Sequence, residues 1–276
     1  MRGMWAVCKR EFASYFITPV GYVIVGTFAV IAGLAFAMAF LQYSQISQAP
    51  GLHGYKSIPD FEEVLLSPFL VFSGLLIMFI GPLITMRLLA AEKGRGTMEL
   101  LLTYPLRDRD IVFGKFFASC GMLLVMMGVI GVYVSVLNWF TDVEPAVLWF
   151  GVLTVLLMGL AFISLGLFVS AMTKNQVTAG TATFGLWFVM YILGSVGKDL
   201  PEANPAPETL GEGLRTIIGF CYGIFRRFVL ELPIDAHAKE MAQGVVEPKD
   251  IAYYVLFIAF FLFLTFRVLE SRRWRA

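Results

Sequence analysis

Long apolar stretches separated by polar segments dominate the hydrophobic pattern of this chain. Six of them are long enough to cross a membrane, at residues 20–41, 68–91, 111–137, 145–172, 177–196 and 251–269. A helix rises about 1.5 Å per residue, so about 20 residues cross a hydrocarbon layer of about 30 Å. The pattern predicts an all-α polytopic membrane protein with six transmembrane helices, organised as a single transmembrane domain over residues 1–276.

A mixed segment precedes the first apolar run. Residues 5–18 combine charged Lys9, Arg10 and Glu11 with aromatic side chains that gather on one side at helical spacing. This favours an N-terminal helix lying in the plane of the membrane interface and ended by Pro19, rather than a disordered tail.

Several predicted spans carry glycines. They are Gly21, Gly26 and Gly33 in the first span, Gly159 and Gly166 in the fourth, and Gly180 and Gly185 in the fifth. Small residues let helices approach closely in lipid, so these positions are predicted to mark packing faces.

The composition supports a lipid environment. Hydrophobic residues make up 58% of the chain, charged residues 15%, and the mean hydropathy is +0.78. A soluble domain has about 25% charged and 45–50% apolar residues, so the surplus of apolar side chains needs lipid around it. The net charge of +1 gives no overall field that would attract nucleic acid.

Basic residues predict the orientation of the spans. With the N-terminus inside, the two short outer loops hold only Lys56. The long outer loop 198–250 also carries basic residues, but long loops influence orientation weakly. We therefore expect a multi-pass protein of the plasma (inner) membrane with both termini cytoplasmic. The inner face would carry Arg2, Lys9, Arg10, Arg87, Lys93, Arg95, Arg107, Arg109, Lys115, Lys174, Arg267, Arg272, Arg273 and Arg275.

One more helical pattern lies within the long outer loop. Residues 214–230 show helical apolar periodicity together with Arg215, Arg226 and Arg227. A seventh crossing here would place the C-terminal arginines outside. A surface or re-entrant amphipathic helix is therefore the preferred interpretation.

Motifs for catalysis, cofactors and metals are absent from the sequence. It has no phosphate-binding G-x-x-x-x-G-K-[ST] loop, no H-E-x-x-H and no G-x-S-x-G. The carboxylate pairs Glu62-Glu63 and Asp108/Asp110 are interpreted as solvated charge. The scattered cysteines and histidines are interpreted as small apolar fillers and as surface polar residues, respectively: Cys8, Cys120 and Cys221, and His53 and His237.

The segment between the second and third spans differs from the other loops. Arg87, Glu92, Lys93 and Arg95 lead into Gly94 and Gly96, which allow a sharp turn. Residues 97–103 (TMELLLT) then predict a short helix ended by Pro105, with three consecutive leucines outside any span. Such a helix suits either docking to a partner or lying on lipid headgroups, and the residues alone do not favour one over the other.

The same segment resembles the signature of ABC-2-type transporter permeases, most closely the branch that includes gliding-motility and copper-maturation permeases. The residues that carry the resemblance are Glu92, Lys93, Gly96, Thr97, Glu99, Leu100, Leu101, Leu102, Thr103, Pro105 and Leu106, followed by Ile111, Val112, Gly114 and Lys115. The likeness in organisation extends over essentially the whole chain.

The resemblance implies a function and partners. In that family two permease copies or paralogues pair, and a cytoplasmic coupling helix docks on a separate ABC ATPase subunit. It implies a permease subunit, expected to be an exporter and not itself an enzyme. It also implies that the contact with the ATPase lies at Glu92, Gly96, Thr97, Glu99, Leu100 and Leu101.

Two other functions compete with this one. A membrane scaffold that recruits an ATPase without transporting anything would have much the same sequence. A polytopic membrane enzyme would need polar residues converging from several spans, and the predicted spans contain no ionisable residue near their middles.

Overall fold

The computed structural model describes residues 2–48, 60–96, 107–141, 143–201 and 211–273. Within these ranges the chain is helical and contains no β-strand. The helices, in chain order, are α1 (Arg2–Ile17), α2 (Val20–Gln48), a π-helix (Glu62–Leu66), α3 (Ser67–Thr85), α4 (Ala90–Gly94), α5 (Asp108–Phe140), α6 (Pro145–Met172), α7 (Gln176–Asp199), α8 (Glu212–Glu231), α9 (Ala238–Ala242) and α10 (Pro248–Arg273).

Six helical stretches in the described residues are long and apolar enough to cross a membrane. They are 20–48, 62–94 (which contains α3 and α4), 108–140, 145–172, 176–199 and 248–271. The prediction of an all-α protein with six transmembrane helices is confirmed. Helix α8 is not among them, in agreement with the preference for an amphipathic helix over a seventh crossing.

Helices α5, α6 and α7 run in alternating directions, because only residues 141–144 and 173–175 connect them. Helices α3 and α6 end, and α5 and α7 begin, at the same end of the bundle, which we call the loop end. The opposite end, where α5 and α7 finish and α8 and α9 lie, is called the distal end.

Helix α6 forms the centre of the bundle. It packs against α3, α5, α7 and α10, and 67% of its most apolar window is buried, compared with 17% in α2 and α10. Helices α2 and α10 therefore lie at the periphery. Exposed apolar side chains on α2, including Val23, Val30, Leu34 and Met38, form a surface suited to lipid.

Glycines let the central helices approach closely. A Cβ atom at Gly159 would lie 2.6 Å from Cδ1 of Leu123, and one at Gly166 would overlap Thr85. Gly21 and Gly33 also face close neighbours, so the predicted packing role is confirmed at these four positions. At Gly26 and Gly185 no described residue lies within 4 Å of a Cβ atom, so the described part of the bundle does not use these two glycines for packing.

The predicted N-terminal helix is present as α1, and it packs along the first half of α5. Val7 fits against Gly114 and Phe12 against Gly121. The buried Tyr15 hydroxyl donates a hydrogen bond of 3.1 Å to the carbonyl oxygen of Ile84. Helix α1 is thus joined to the crossing helices, while its position in the plane of the interface stays a prediction.

The surface role predicted for His237 is wrong. Its imidazole is buried, with Nδ1 2.7 Å from Oδ1 of Asp250 and Nε2 3.1 Å from the carbonyl oxygen of Glu231. The ring also stacks on Tyr253, with the ring centres 4.2 Å apart. Sequence reasoning treated this histidine as isolated, but the fold brings the end of α8 and the start of α10 together around it. His53 lies outside the described residues.

Candidate functional site

The segment between α3 and α5 is described at its two ends. Of the six residues expected to contact an ATPase, Glu92 and Gly96 are described. Thr97, Glu99, Leu100 and Leu101, with the predicted short helix 97–103, lie outside the described residues. The structure therefore gives the base of this loop, residues 86–96 and 107 onward.

Four charged side chains meet at the base of the loop. The Nζ atom of Lys115 lies 3.0 Å from Oε1 of Glu11 and 3.0 Å from Oε1 of Glu92. The Nη2 atom of Arg10 lies 2.8 Å from Glu11 Oε1 and 3.0 Å from Glu92 Oε1. We call Arg10, Glu11, Glu92 and Lys115 the charge cluster. It joins α1, α4 and the first turns of α5 with two positive and two negative charges.

Burial differs strongly among the members of the charge cluster. The Lys115 side chain is 1% exposed, those of Glu11 and Glu92 are 16% and 18% exposed, and that of Arg10 is 56% exposed. An unpaired ammonium group would be very costly at the Lys115 position, so its two carboxylate partners are required by the fold. Arg10 lies on the solvent side of the cluster, and its exposed ion pairs contribute less to the stability of the fold.

The ion pairs keep Glu11 ionised. Burial of its carboxyl group favours the neutral form. The neighbouring charges of Lys115 and Arg10 outweigh burial, so the pKa of Glu11 lies below its ordinary value. The paired carboxylates act as fixed charges that hold three helices together.

Ser170 of α6 anchors the start of α4. Its hydroxyl oxygen accepts hydrogen bonds from the backbone N–H groups of Leu89 (3.1 Å) and Ala90 (3.0 Å). The hydroxyl group can itself donate to the carbonyl oxygen of Met86, 3.4 Å away. The first N–H groups of a helix need hydrogen-bond acceptors. The N-cap residue of α4 provides no side-chain acceptor, so the hydroxyl of α6 takes that role.

The end of α4 is also fixed against α6. The Nζ atom of Lys93 donates a hydrogen bond to the carbonyl oxygen of Ala171. A Cβ atom at Gly94 would lie 2.7 Å from the carbonyl oxygen of Lys174, so only glycine permits this approach. Gly96 then takes a φ of +72°, a left-handed conformation that favours glycine and turns the chain out of α4.

Several residues at this site were not predicted to be functional, namely Arg10, Glu11, Lys115 and Ser170. One signal was present: Lys115 lies inside the apolar run 111–137, and a lysine there needs an acidic partner. Glu11 and Glu92 adjoin the same end of the bundle in the predicted topology. Ser170 carried no such signal, because serine is common within membrane helices.

The acidic residues of the distal end form a separate group. Glu62 and Glu63, interpreted as solvated charge, line a cavity of about 300 Å³ with Asp60, Glu144 and Gln243. A Glu62 carboxylate oxygen accepts a hydrogen bond from the backbone N–H of Glu144 at the start of α6. This contact joins the π-helix to α6, far from the charge cluster.

Comparison with known proteins gives consistent matches. A family profile described as "ABC-2 family transporter protein" matches residues 5–272. A protein of Pseudomonas aeruginosa named "Probable ABC transporter permease protein NosY" is 31% identical over 156 residues, which cover 52% of this chain and 54% of that relative. A protein of the same name from Stutzerimonas stutzeri is 28% identical over 227 residues, covering 74% of this chain and 76% of that relative. The match therefore spans about half the length of the first relative and about three quarters of the second.

Proposed function

The chain belongs to the ABC-2 family of transporter proteins, and from that premise we propose that it is an exporter permease driven by a separate cytoplasmic ATPase. In this proposal the segment 97–103 is the coupling helix, and Glu92, Gly96, Thr97, Glu99, Leu100 and Leu101 lie at or near the contact with the ATPase. ATP is hydrolysed in the partner subunit, and the permease has no catalytic role.

The observation that supports the proposal is the way the base of the loop is held. The charge cluster joins the base to α1 and α5, and Ser170 and Lys93 join it to α6. Interfaces packed in this way move as units rather than deforming continuously. A push on residues 97–106 is therefore transmitted to α1, α5 and the central helix α6 together.

The proposed cycle follows from this connection. Closure of two ATPase subunits around ATP displaces the two coupling helices of a permease pair, formed by two copies or by a paralogue. Each displaced loop carries its anchored helices, and the bundle rocks from an inward-facing to an outward-facing arrangement. Both termini and the loop lie on the cytoplasmic side of the inner membrane in this scheme.

A cross-linking experiment tests the contact. The chain is expressed with its ATP-binding subunit, with Cys8 and Cys120 replaced by alanine, Cys221 replaced by serine, and a single cysteine placed at Thr97 or Leu101. We expect both cysteines to cross-link to the ATPase, and a control cysteine at Asp60, at the distal end, not to do so. Labelling of Thr97→Cys by a membrane-impermeant reagent from outside the cell, or ATP hydrolysis by the purified chain alone, would contradict the proposal.

A transport assay separates a permease from a scaffold. Inverted membrane vesicles containing the chain and its ATPase should accumulate cargo when ATP is added, and vesicles with a hydrolysis-deficient ATPase should not. ATPase recruitment without any ATP-dependent movement of solute or lipid would favour the scaffold.

A further inference from the structure

Helix α8 exposes an apolar face that the described part of the bundle leaves uncovered. Over its 20 residues Val229 is the one buried side chain. Six large apolar side chains are more than half exposed: Leu214, Ile217, Phe220, Ile224, Phe225 and Phe228. At about 100° per residue, most of them fall on one face, with Cys221 near its centre. Cys221 is exposed, so its interpretation as an apolar filler is wrong.

The contacts of α8 with the bundle lie on another side of the helix and toward its C-terminal end. Val229 and Leu230 pack against Gly197 near the end of α7. The Tyr222 hydroxyl donates a hydrogen bond of 2.8 Å to the carbonyl oxygen of Pro201. The apolar face around Cys221 is turned away from these contacts.

The contact with Gly197 fixes the level of α8 relative to the bilayer. Helix α7 begins at Gln176, just after Lys174, at the loop end. About 20 residues cross the hydrocarbon, so its distal boundary falls near Val196 and Gly197. Val189, Ile192 and Val196 on α7 are exposed apolar residues, and α8 packs where this lipid-facing surface ends.

Arginines border the apolar face at this level. Arg227 is exposed beside Ile224, on the flank opposite the contact with α7. Arg215 and Arg226 lie on the other flank. Arginines at the edge of an apolar helix face carry their charge at the headgroup layer while the apolar side chains enter the acyl layer.

We propose that α8 lies along the headgroup boundary of the distal leaflet and binds phospholipid, with the face around Cys221 among the acyl chains and Arg227 on a lipid phosphate. Charge complementarity and continuity with the lipid-facing surface of α7 select lipid as the occupant. A second copy of the chain is the competing occupant, and the test below distinguishes it by cross-links between copies.

Quenching of a fluorophore at Cys221 tests the proposal. The full chain, with Cys8 and Cys120 replaced by alanine, is labelled with bimane at Cys221 and placed in nanodiscs containing phosphatidylglycerol. We expect strong quenching by nitroxide-labelled phospholipid and weak quenching by iodide. The matched control is Thr216→Cys in a Cys221→Ser background, on the polar face of α8, where iodide should quench strongly.

Each result decides the question. Iodide quenching at Cys221 equal to that at Thr216→Cys would place the face in water and overturn the proposal. Protection from both quenchers, with Cys221–Cys221 cross-links between copies, would assign the face to a second copy and also overturn it. These readouts need no ATPase, so their failure would leave the permease proposal untouched.

Arg227 tests the phosphate contact separately. Arg227→Glu should lower lipid quenching at Cys221 at least about twofold, because it replaces a charge that attracts anionic headgroups by one that repels them. Arg227→Lys should retain it. Arg227 is exposed, so neither change should alter the gel-filtration profile. Unchanged lipid quenching in Arg227→Glu would overturn the assignment of Arg227 to phosphate.

Discussion

The Nζ atom of Lys115 lies 3.0 Å from Oε1 of Glu92, so the first turns of α5 hold the base of the loop through a buried ion pair. The same atom lies 3.0 Å from Oε1 of Glu11 on α1. One cation therefore serves two carboxylates from different helices. A change at this single position removes both connections at once.

Replacement of Lys115 by methionine should destabilise the protein strongly. The change removes the buried cation that Glu11 and Glu92 share, and the remaining cation of the charge cluster, Arg10, is more than half exposed and screened by solvent. Breaking a buried pair by removing one partner costs about 3 kcal/mol or more. The measurement is thermal unfolding in nanodiscs, read by intrinsic tryptophan fluorescence.

Two variants control this experiment. Arg10→Met removes the exposed cation and should cost about 1 kcal/mol or less. The double variant Lys115→Met, Glu92→Gln should recover part of the loss, because it also removes one of the two carboxylate charges that Lys115 balances. Equal effects of Lys115→Met and Arg10→Met would contradict the importance of the buried pair.

Replacement of Ser170 by alanine should loosen α4 without disturbing the rest of the bundle. The variant removes the acceptor of two N–H groups, a loss of about 1–2 kcal/mol for a helix start. Hydrogen exchange should become faster at Leu89 and Ala90 and stay unchanged in α5. The matched control is Ser164→Ala on the same helix, whose hydroxyl donates to Ala161 of its own turn. If hydrogen exchange at Leu89 and Ala90 became equally faster in both variants, Ser170 would not be the residue that anchors α4.

The charge cluster should lose its contribution to the stability of the folded protein at low pH. The pKa of Glu11 is lowered in the folded state because its ion pairs outweigh the effect of burial. Its contribution is therefore complete above the ordinary carboxylate pKa of about 4.5 and is lost as the pH falls through the lower folded value. The unfolding temperature of the wild type should fall below about pH 4. Glu11→Gln should show a shallower fall, and parallel curves would argue against the role of Glu11.

The sequence predicted the crossing helices well because each one is a long apolar run that needs no partner to be recognised. The charge cluster was harder to predict. Lys115 is visible as a cation within an apolar run, but Glu11 is 104 positions away in the chain. Ser170 lies 81 positions from Leu89, and a serine in a membrane helix has many possible roles. His237 lies only 13 positions from its partner Asp250, but no sequence pattern showed that the chain between α8 and α10 folds back to join them.

Changes on the proposed coupling helix should uncouple the transporter. Glu99→Lys reverses a charge at the proposed contact with the ATPase, and Leu100→Asp places a carboxylate on its apolar surface. Both should keep the thermal stability of the permease and lower ATP-driven transport at least about tenfold, as expected for loss of an interface anchor of about 1.4 kcal/mol or more. ATP hydrolysis by the assembled complex and cargo uptake are measured together. Wild-type transport by either variant would count against the proposed contact.

Close packing of α3 on α6 near the loop end should tolerate no side chain at Gly166. A Cβ atom there would overlap Thr85, whose hydroxyl donates to the carbonyl oxygen of Gly81 inside α3. Gly166→Ala must therefore separate the two helices or displace Thr85, at a cost of about 1–3 kcal/mol. Gly185→Ala is the matched control, because that position faces open space and alanine has the higher helix propensity there. The unfolding temperature should thus fall for Gly166→Ala and stay level or rise for Gly185→Ala. Equal stability of the two would mean that α3 and α6 are not in tight contact at this point, and Ser170 and Lys93 would remain as described connections from the base of the loop to α6.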